Sequence, residues 1–309
     1  MGIGSAVWVD RTTRLRDYLL VTKPQHVIPS TLTAWVGLAL AASEPVPAGR
    51  VVATLVGTAL AVAAAHVFNA LLERDADALM SRTVDRPLAS GRMPASHAAV
   101  WGGVLALVSV AIMALGVNAL AAGLTVAGIG VYDLVYTRWL KRRTPWNTLV
   151  GGVAGGIPPL VGWAAATGTL AWPAVVLFSM MVVWQPLHFF ALSLLVADDY
   201  RRAGFPMVVV VHGEQATLNQ IAAYATVMTG LSLLLHLLGV TGWVYLAAAL
   251  VLGTVYVVAA VRAALRGPAE ARTRGRWLLR YSFFYLIVIF TIALDRKSTR
   301  LNSSHLGIS

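Results

Sequence analysis

Residues 51–86 read VVATLVGTALAVAAAHVFNALLERDADALMSRTVDR. From Val51 to Leu72 there is no acidic or basic side chain other than His66, a length close to the roughly 20 residues that cross a hydrocarbon core. Acids at 73, 75 and 77 follow, then arginines at 82, 86 and 92. The spacing predicts a membrane-spanning helix that runs on into a charged mouth. Asn69, Glu73 and Asp77 stand at i, i+4 and i+8, so they share one face of that helix, and Asp75 points elsewhere.

The rest of the chain has the same character. Of 309 residues 58% are hydrophobic and 12% charged, against about a quarter charged in soluble domains. Backbone groups in lipid must bond internally, so the spans are expected to be helices. Nine are read, near 26–43, 51–72, 98–117, 119–138, 148–166, 170–195, 217–239, 242–262 and 277–294.

The net charge of +11 raises nucleic acid as a partner, but the basic residues sit in short loops between spans. Before residue 296, all except Arg50 fall on one side, which reads as topology with a cytoplasmic amino terminus and an odd number of spans. No nucleic-acid partner is expected. There are no cysteines, which excludes disulfides, thiolate metal ligands and covalent c-type heme attachment. Residues 1–25 lack a signal-peptide core, and no nucleotide-binding or zinc-protease motif occurs. The end, RKSTRLNSSHLGIS, breaks the charge pattern and resembles translated adaptor sequence. The expected organisation is one transmembrane domain over 1–295 and a non-native tail over 296–309.

A second acidic pair, Asp198 and Asp199 in LLVADDYRRAGFPM, follows the sixth span, four crossings after the first cluster, and so reaches the same surface. Carboxylates suit Mg²⁺, a hard ion that keeps waters and bridges to substrate phosphates. Arginines bind phosphate oxygens in bidentate fashion. Acids and bases around one mouth therefore suggest a metal–diphosphate site, beside the plainer reading that they solvate helix ends. Asp133 lies about one turn inside the fourth span, as a functional group or an interhelical anchor. His188 and His66 lie within spans, as ligands or as packing residues. Pro186, Pro158 and Pro159 are expected to open or break their helices. The run GGVAGGIPP, 151–159, is expected to permit close helix packing.

An asparagine with two same-face acids at one helix end, a second acidic cluster four spans on and nine spans overall resemble the UbiA superfamily of intramembrane prenyltransferases. NALLERDADALMSRTVDRPLASGRM, YTRWLKRRTPWNTLVGGVAGGIPPLVGWAAATG, WQPLHFFALSLLVADDYRRAGFPM and RWLLRYSFFYLIVIFTIALD are similar to its heme-farnesylating branch. The resemblance implies an all-α membrane protein, with about nine helices around a central apolar cavity open to the cytoplasm. It implies Mg²⁺-dependent transfer of farnesyl from farnesyl diphosphate to a vinyl group of heme b, in the bacterial cell membrane. A downstream heme a synthase or terminal oxidase assembly would take the product. Carried over by position, Asn69, Glu73, Asp77, Asp198 and Asp199 are catalytic, the four acids as Mg²⁺ ligands. Arg82, Arg86, Lys141, Arg142 and Arg202 would contact diphosphate, with His188 and His66 as heme-binding candidates. The chain departs from the pattern in Glu73 for the usual Asp, in a DD pair for DxxxD, and in Gln25-His26 after Lys23-Pro24 where Arg is expected. The alternatives are another aromatic or tetrapyrrole acceptor, such as a quinone precursor, and a transporter.

Overall fold

The computed structural model describes residues 11–305, with side chains over 15–294. The expectation for the 296–309 tail lies outside the described side chains. Among the described residues there are helices and no strands: α1 (Arg11–Val21), α2 (Pro24–Ala41), α3 (Ala48–Asp77), α4 (Ala95–Gly116), α5 (Ala119–Leu140), α6 (Asn147–Thr167), α7 (Trp172–Ser193), α8 (Ala197–Arg202), α9 (Val208–Val211), α10 (Gly213–Leu237), α11 (Trp243–Arg266) and α12 (Ala271–His305).

Eight of the nine expected spans are helices long and apolar enough to cross a membrane. The other, α2, has 18 residues, and its first half carries Gln25, His26, Pro29, Ser30 and Thr31, which dilute its apolar character. α3 runs for 30 residues, about 45 Å at 1.5 Å per residue. That exceeds the hydrocarbon thickness of about 30 Å, so its last turns carry charge out of the apolar layer.

Neighbouring spans pack in sequence, α3 on α4, α6 on α7 and α10 on α11. α2 also lies against α6, α10 against α7, and α12 against α7, α11 and α2, which closes the bundle. The α2–α6 contact is backbone on backbone. A Cβ added at Gly162 would lie 1.9 Å from the Ala34 carbonyl oxygen, and one at Gly37 2.1 Å from that of Pro159. Within the glycine run, Gly152 faces the Val182 carbonyl of α7 and Gly151 the Tyr136 ring of α5. Small residues let helices approach where lipid gives no hydrophobic drive between them.

Two expectations about proline need correction. α6 continues through Pro158 and Pro159, and α7 through Pro186, as unbroken helices. These are the two most enclosed spans, 67% and 56% buried. Packed neighbours can keep a proline-bearing helix intact inside a membrane protein.

α5 changes winding. It is α-helical to Gly130 and π-helical over Val131–Leu140, closing with Lys141 N–H donating to the Tyr136 carbonyl at 2.9 Å. At about 80° per residue, against 100° in an α-helix, Tyr132, Asp133, Tyr136, Thr137 and Lys141 fall within roughly a third of the circumference. In an α-helix Lys141 would lie opposite Tyr132.

Substituting Gly162→Val forces α6 away from α2. The expected cost is about 1–3 kcal/mol, seen as a lower midpoint in thermal unfolding of the purified protein, whereas Gly230→Ala, whose Cβ meets nothing within 4 Å, shifts it little.

Candidate active site at the charged end of the bundle

The face predicted on α3 is the buried one. Asn69, Glu73 and Asp77 are 2%, 3% and 2% exposed, while Asp75 is exposed and pairs with Arg74 at 3.3 Å. Each of the three inward groups meets a cation from a different segment. Lys23, ahead of α2, donates from Nζ to Asn69 Oδ1 at 2.6 Å. Lys141, at the end of the π-wound segment, lies 2.6 Å from Glu73 Oε1 and 2.8 Å from Oε2. Arg86 Nη1, in the loop after α3, donates to Asp77 Oδ2 at 2.8 Å.

Local structure explains each approach. Thr83 Oγ1 donates to the Asp77 carbonyl at 2.8 Å and turns the loop back, so Arg86 reaches the carboxylate nine residues before it. Asn69 Nδ2 donates to Thr137 Oγ1 at 3.1 Å, and Thr137 donates to the Tyr132 carbonyl at 2.8 Å, which ties α3 to the π-wound face. Lys23 stands at φ 52°, ψ 65°, the positive-φ non-glycine residue among those described. This left-handed geometry costs a residue with a Cβ roughly 1 kcal/mol or more, and here it accompanies a buried ammonium bonded to Asn69.

The second acidic pair divides. Asp199 is buried and accepts from Ser81 Oγ at 2.8 Å and from Arg202, which also donates to Ser81 Oγ at 3.3 Å. α8 is thereby clasped to the loop after α3. Asp198, one residue earlier and about 100° round the helix, faces outward and pairs with Arg201 at 2.5 Å and Arg272 at 3.1 Å. Of this second pair, Asp199 is thus the buried member and Asp198 the exposed one. Arg82 and Arg142 are exposed and, among the described residues, have no ion-pair partner, so they stand outside the buried set.

The charges act on one another. Burial pushes the Lys23 ammonium down to about 7, with Arg86 adding to that shift and Glu73 and Asp77 opposing it. Burial works against the Lys141 ammonium too, but the Glu73 carboxylate outweighs it and raises its pKa. Burial tends to raise the Asp199 carboxyl; hydrogen bonds from Ser81 and the Arg82 backbone, with the Arg202 charge, hold it below the usual carboxylate range.

Among the described residues no three His, Asp or Glu side chains gather closely enough to hold a metal ion by themselves. Within the acidic face of α3, Asp77 Oδ1 is buried with neither a hydrogen-bond nor an ion-pair partner. A free carboxylate oxygen beside amines and guanidinium groups fits an ion that keeps waters and shares its coordination with substrate phosphates.

Deeper groups surround this end. Asp133 is 4% exposed, with neither carboxylate oxygen bonded. His66 Nδ1 lies 3.4 Å from the Tyr132 hydroxyl, and its ring is 5.2 Å from that of His26. His188 is 2.8 Å from Ser282 Oγ and stacks on Trp184 at 4.7 Å, with the Phe283 edge at 4.3 Å. Lys23, Thr137 and Ser81 were missed as site residues from sequence. Only Lys23 left a signal there, as a lone cation before a proline at the mouth of the first span.

The UbiA prenyltransferase family model matches residues 30–288. A protoheme IX farnesyltransferase of Gloeobacter violaceus is 42% identical over 276 residues, covering 89% of this chain and 90% of that relative. The fold is similar to a solved digeranylgeranylglyceryl phosphate synthase, with TM-score 0.76 and 16% identity over 92% of this chain and 98% of that one. It is also similar to a UbiA homolog from Archaeoglobus fulgidus bound to DMAPP and Mg²⁺, with TM-score 0.66 and 14% identity over 88% and 99%. From its match over most of its length, from that relative and from its bundle of membrane-spanning helices, the chain belongs to the UbiA prenyltransferase family of multi-pass membrane enzymes.

Proposed function

We propose that this chain transfers the farnesyl group of farnesyl diphosphate to a vinyl group of heme b, giving heme o and diphosphate with Mg²⁺ as cofactor. One observation carries the chemistry: Lys23, Lys141 and Arg86 converge from three segments on Asn69, Glu73 and Asp77 at one end of an apolar bundle. The name of the Gloeobacter violaceus relative supports the acceptor. Glu73, Asp77 and Asp199 would hold Mg²⁺, with Asn69 on the same face as the first two and the exposed Asp198 at the rim, and the ion when bound would supply a Lewis acid for diphosphate oxygens.

In the resting cluster Lys141 neutralises Glu73 and Arg86 neutralises Asp77, while Lys23 is held by the Asn69 amide oxygen. With diphosphate bound, Lys141 and Arg86 would turn from their carboxylates, and Lys23 from the Asn69 amide, to phosphate oxygens, while Arg202, Arg82 and Arg142 would stand at the rim. These cations stabilise the negative charge that grows on the leaving group as the C–O bond to the farnesyl carbon breaks. The apolar interior shields the allylic cation from water until the vinyl carbon captures it. Water then adds to complete the hydroxyethylfarnesyl side chain. His188, packed on Trp184 and Phe283, and His66 are the heme-contact candidates. The reading includes a bacterial cell membrane with the charged mouth in the cytoplasm, and a heme a synthase or terminal oxidase assembly as consumer.

Membranes containing the protein, supplied with heme b, farnesyl diphosphate and Mg²⁺, are expected to yield heme o by mass spectrometry of extracted hemes. Chelation should stop turnover and added Mg²⁺ restore it; unchanged heme b alongside prenylation of a quinone precursor would overturn the acceptor. Among folded variants, Glu73→Gln and Asp77→Asn should lower kcat on the order of 100-fold or more. Asp199→Asn should cost far more turnover than Asp198→Asn, whose carboxylate sits in an exposed pair, and equal losses would contradict the division of that pair.

A further inference from the structure

At the charged end of the bundle α11 and α12 enclose a groove of about 190 Å³. α11 contributes Ala259, Arg262, Ala263 and Arg266, the i, i+3, i+4, i+7 stripe of one helix face. α12 answers with Arg274, Trp277 and Leu278. Three guanidinium groups therefore line a cleft between two membrane helices. From this we propose a binding site for the phosphate headgroup of an anionic phospholipid, seated between α11 and α12.

Charge balance is the first argument. Arg274 is 16% exposed in its side chain and pairs with Glu270 at 2.5 Å, yet its Nη1 is buried without a partner. Among the described residues neither Arg262 nor Arg266 has an ion-pair partner. One carboxylate thus faces three cations, and a bound anion would relieve their repulsion. A helix C-terminus favours cations by its dipole, which accounts for arginines in the last turns of α11. It does not account for their lining the seam with α12 together with a third from that helix.

Shape and depth are the second argument. Alanine at 259 and 263 leaves the seam open where larger side chains would fill it. Trp277 is 45% exposed, and indole rings favour the headgroup level of a bilayer. Ala259 and Trp277, over the buried Ala263 and Leu278, offer apolar surface beside the arginines to the glycerol and first acyl carbons. Basic pockets between transmembrane helices suit anionic lipid headgroups in this way. A soluble phosphate would use the guanidinium groups and leave the apolar surface unused.

The test uses the full chain in nanodiscs of equal parts phosphatidylglycerol and phosphatidylcholine, followed by native mass spectrometry of retained lipid. The wild type is expected to keep phosphatidylglycerol preferentially. Arg262→Gln with Arg266→Gln should weaken that retention roughly 30-fold, the combined effect of two interfacial arginines, while Arg262→Lys with Arg266→Lys keeps most of it. Ala259→Leu, which narrows the groove with every charge intact, should also release the lipid. Arg276→Gln with Arg280→Gln removes as much charge from exposed positions on α12 and should leave retention unchanged. Equal retention of the two lipids, or equal loss in both double glutamine variants, would overturn the site. Displacement of the lipid by millimolar inorganic phosphate would assign the groove to a soluble anion and overturn the lipid assignment.

Discussion

Glu73 and Asp77 lie almost wholly out of water at the end of a membrane helix, and a carboxylate so placed persists only beside a cation or a metal. Much of the architecture at this end follows from that requirement. Arg86 is brought to Asp77 by a loop that folds back on itself through Thr83. Lys141 reaches Glu73 because the last ten residues of α5 wind as a π-helix, which turns Lys141 onto the face that Tyr132 and Thr137 share. π-Winding is uncommon and concentrates at functional positions. Its compensation here is a buried ion pair and a hydrogen bond to Asn69.

The same requirement explains why, among the described residues, no preassembled metal cage is found. Glu73, Asp77 and Asp199 each already have a cation, so those charges cancel in pairs while no ligand is bound. A diphosphate with its metal brings negative and positive charge together, and the partners can exchange without leaving a buried group bare. Pairs that trade in this way avoid the several kcal/mol that an unpaired buried charge would cost. Asp77 Oδ1, buried and unbonded, is the acceptor already free for such an exchange.

The legible part of the molecule was what depends on local period. Helix spans follow from apolar length, and the buried face of α3 follows from the i, i+4, i+8 spacing of Asn69, Glu73 and Asp77, with Asp75 left outside. The cations that complete the cluster are set by tertiary approach, 46 and 68 residues away from their partners, and no period encodes them. Lys23 needed a left-handed backbone to enter, and Lys141 a change of helical winding. Asp198 and Asp199 look equivalent in sequence, yet adjacent residues on one turn cannot both face inward, and only packing against Ser81 decides which does. The prolines misled because their effect depends on enclosure, which sequence does not show.

One contact links the apolar frame to the charged end. α6 seats on α2 through Gly162 against Ala34 and Gly37 against Pro159, so the height of α2 in the bundle is set by backbone contact with no side chain to absorb an error. Lys23 stands immediately ahead of α2 and bonds Asn69 from there. A shift of α2 would therefore carry the ammonium away from α3, while α6 also abuts the π-wound segment through Gly151 and Tyr136. The glycines of the interior thus help fix the register of two of the three cations over the acids. Close packing in the apolar layer and charge geometry at its edge are two consequences of the same helix seam.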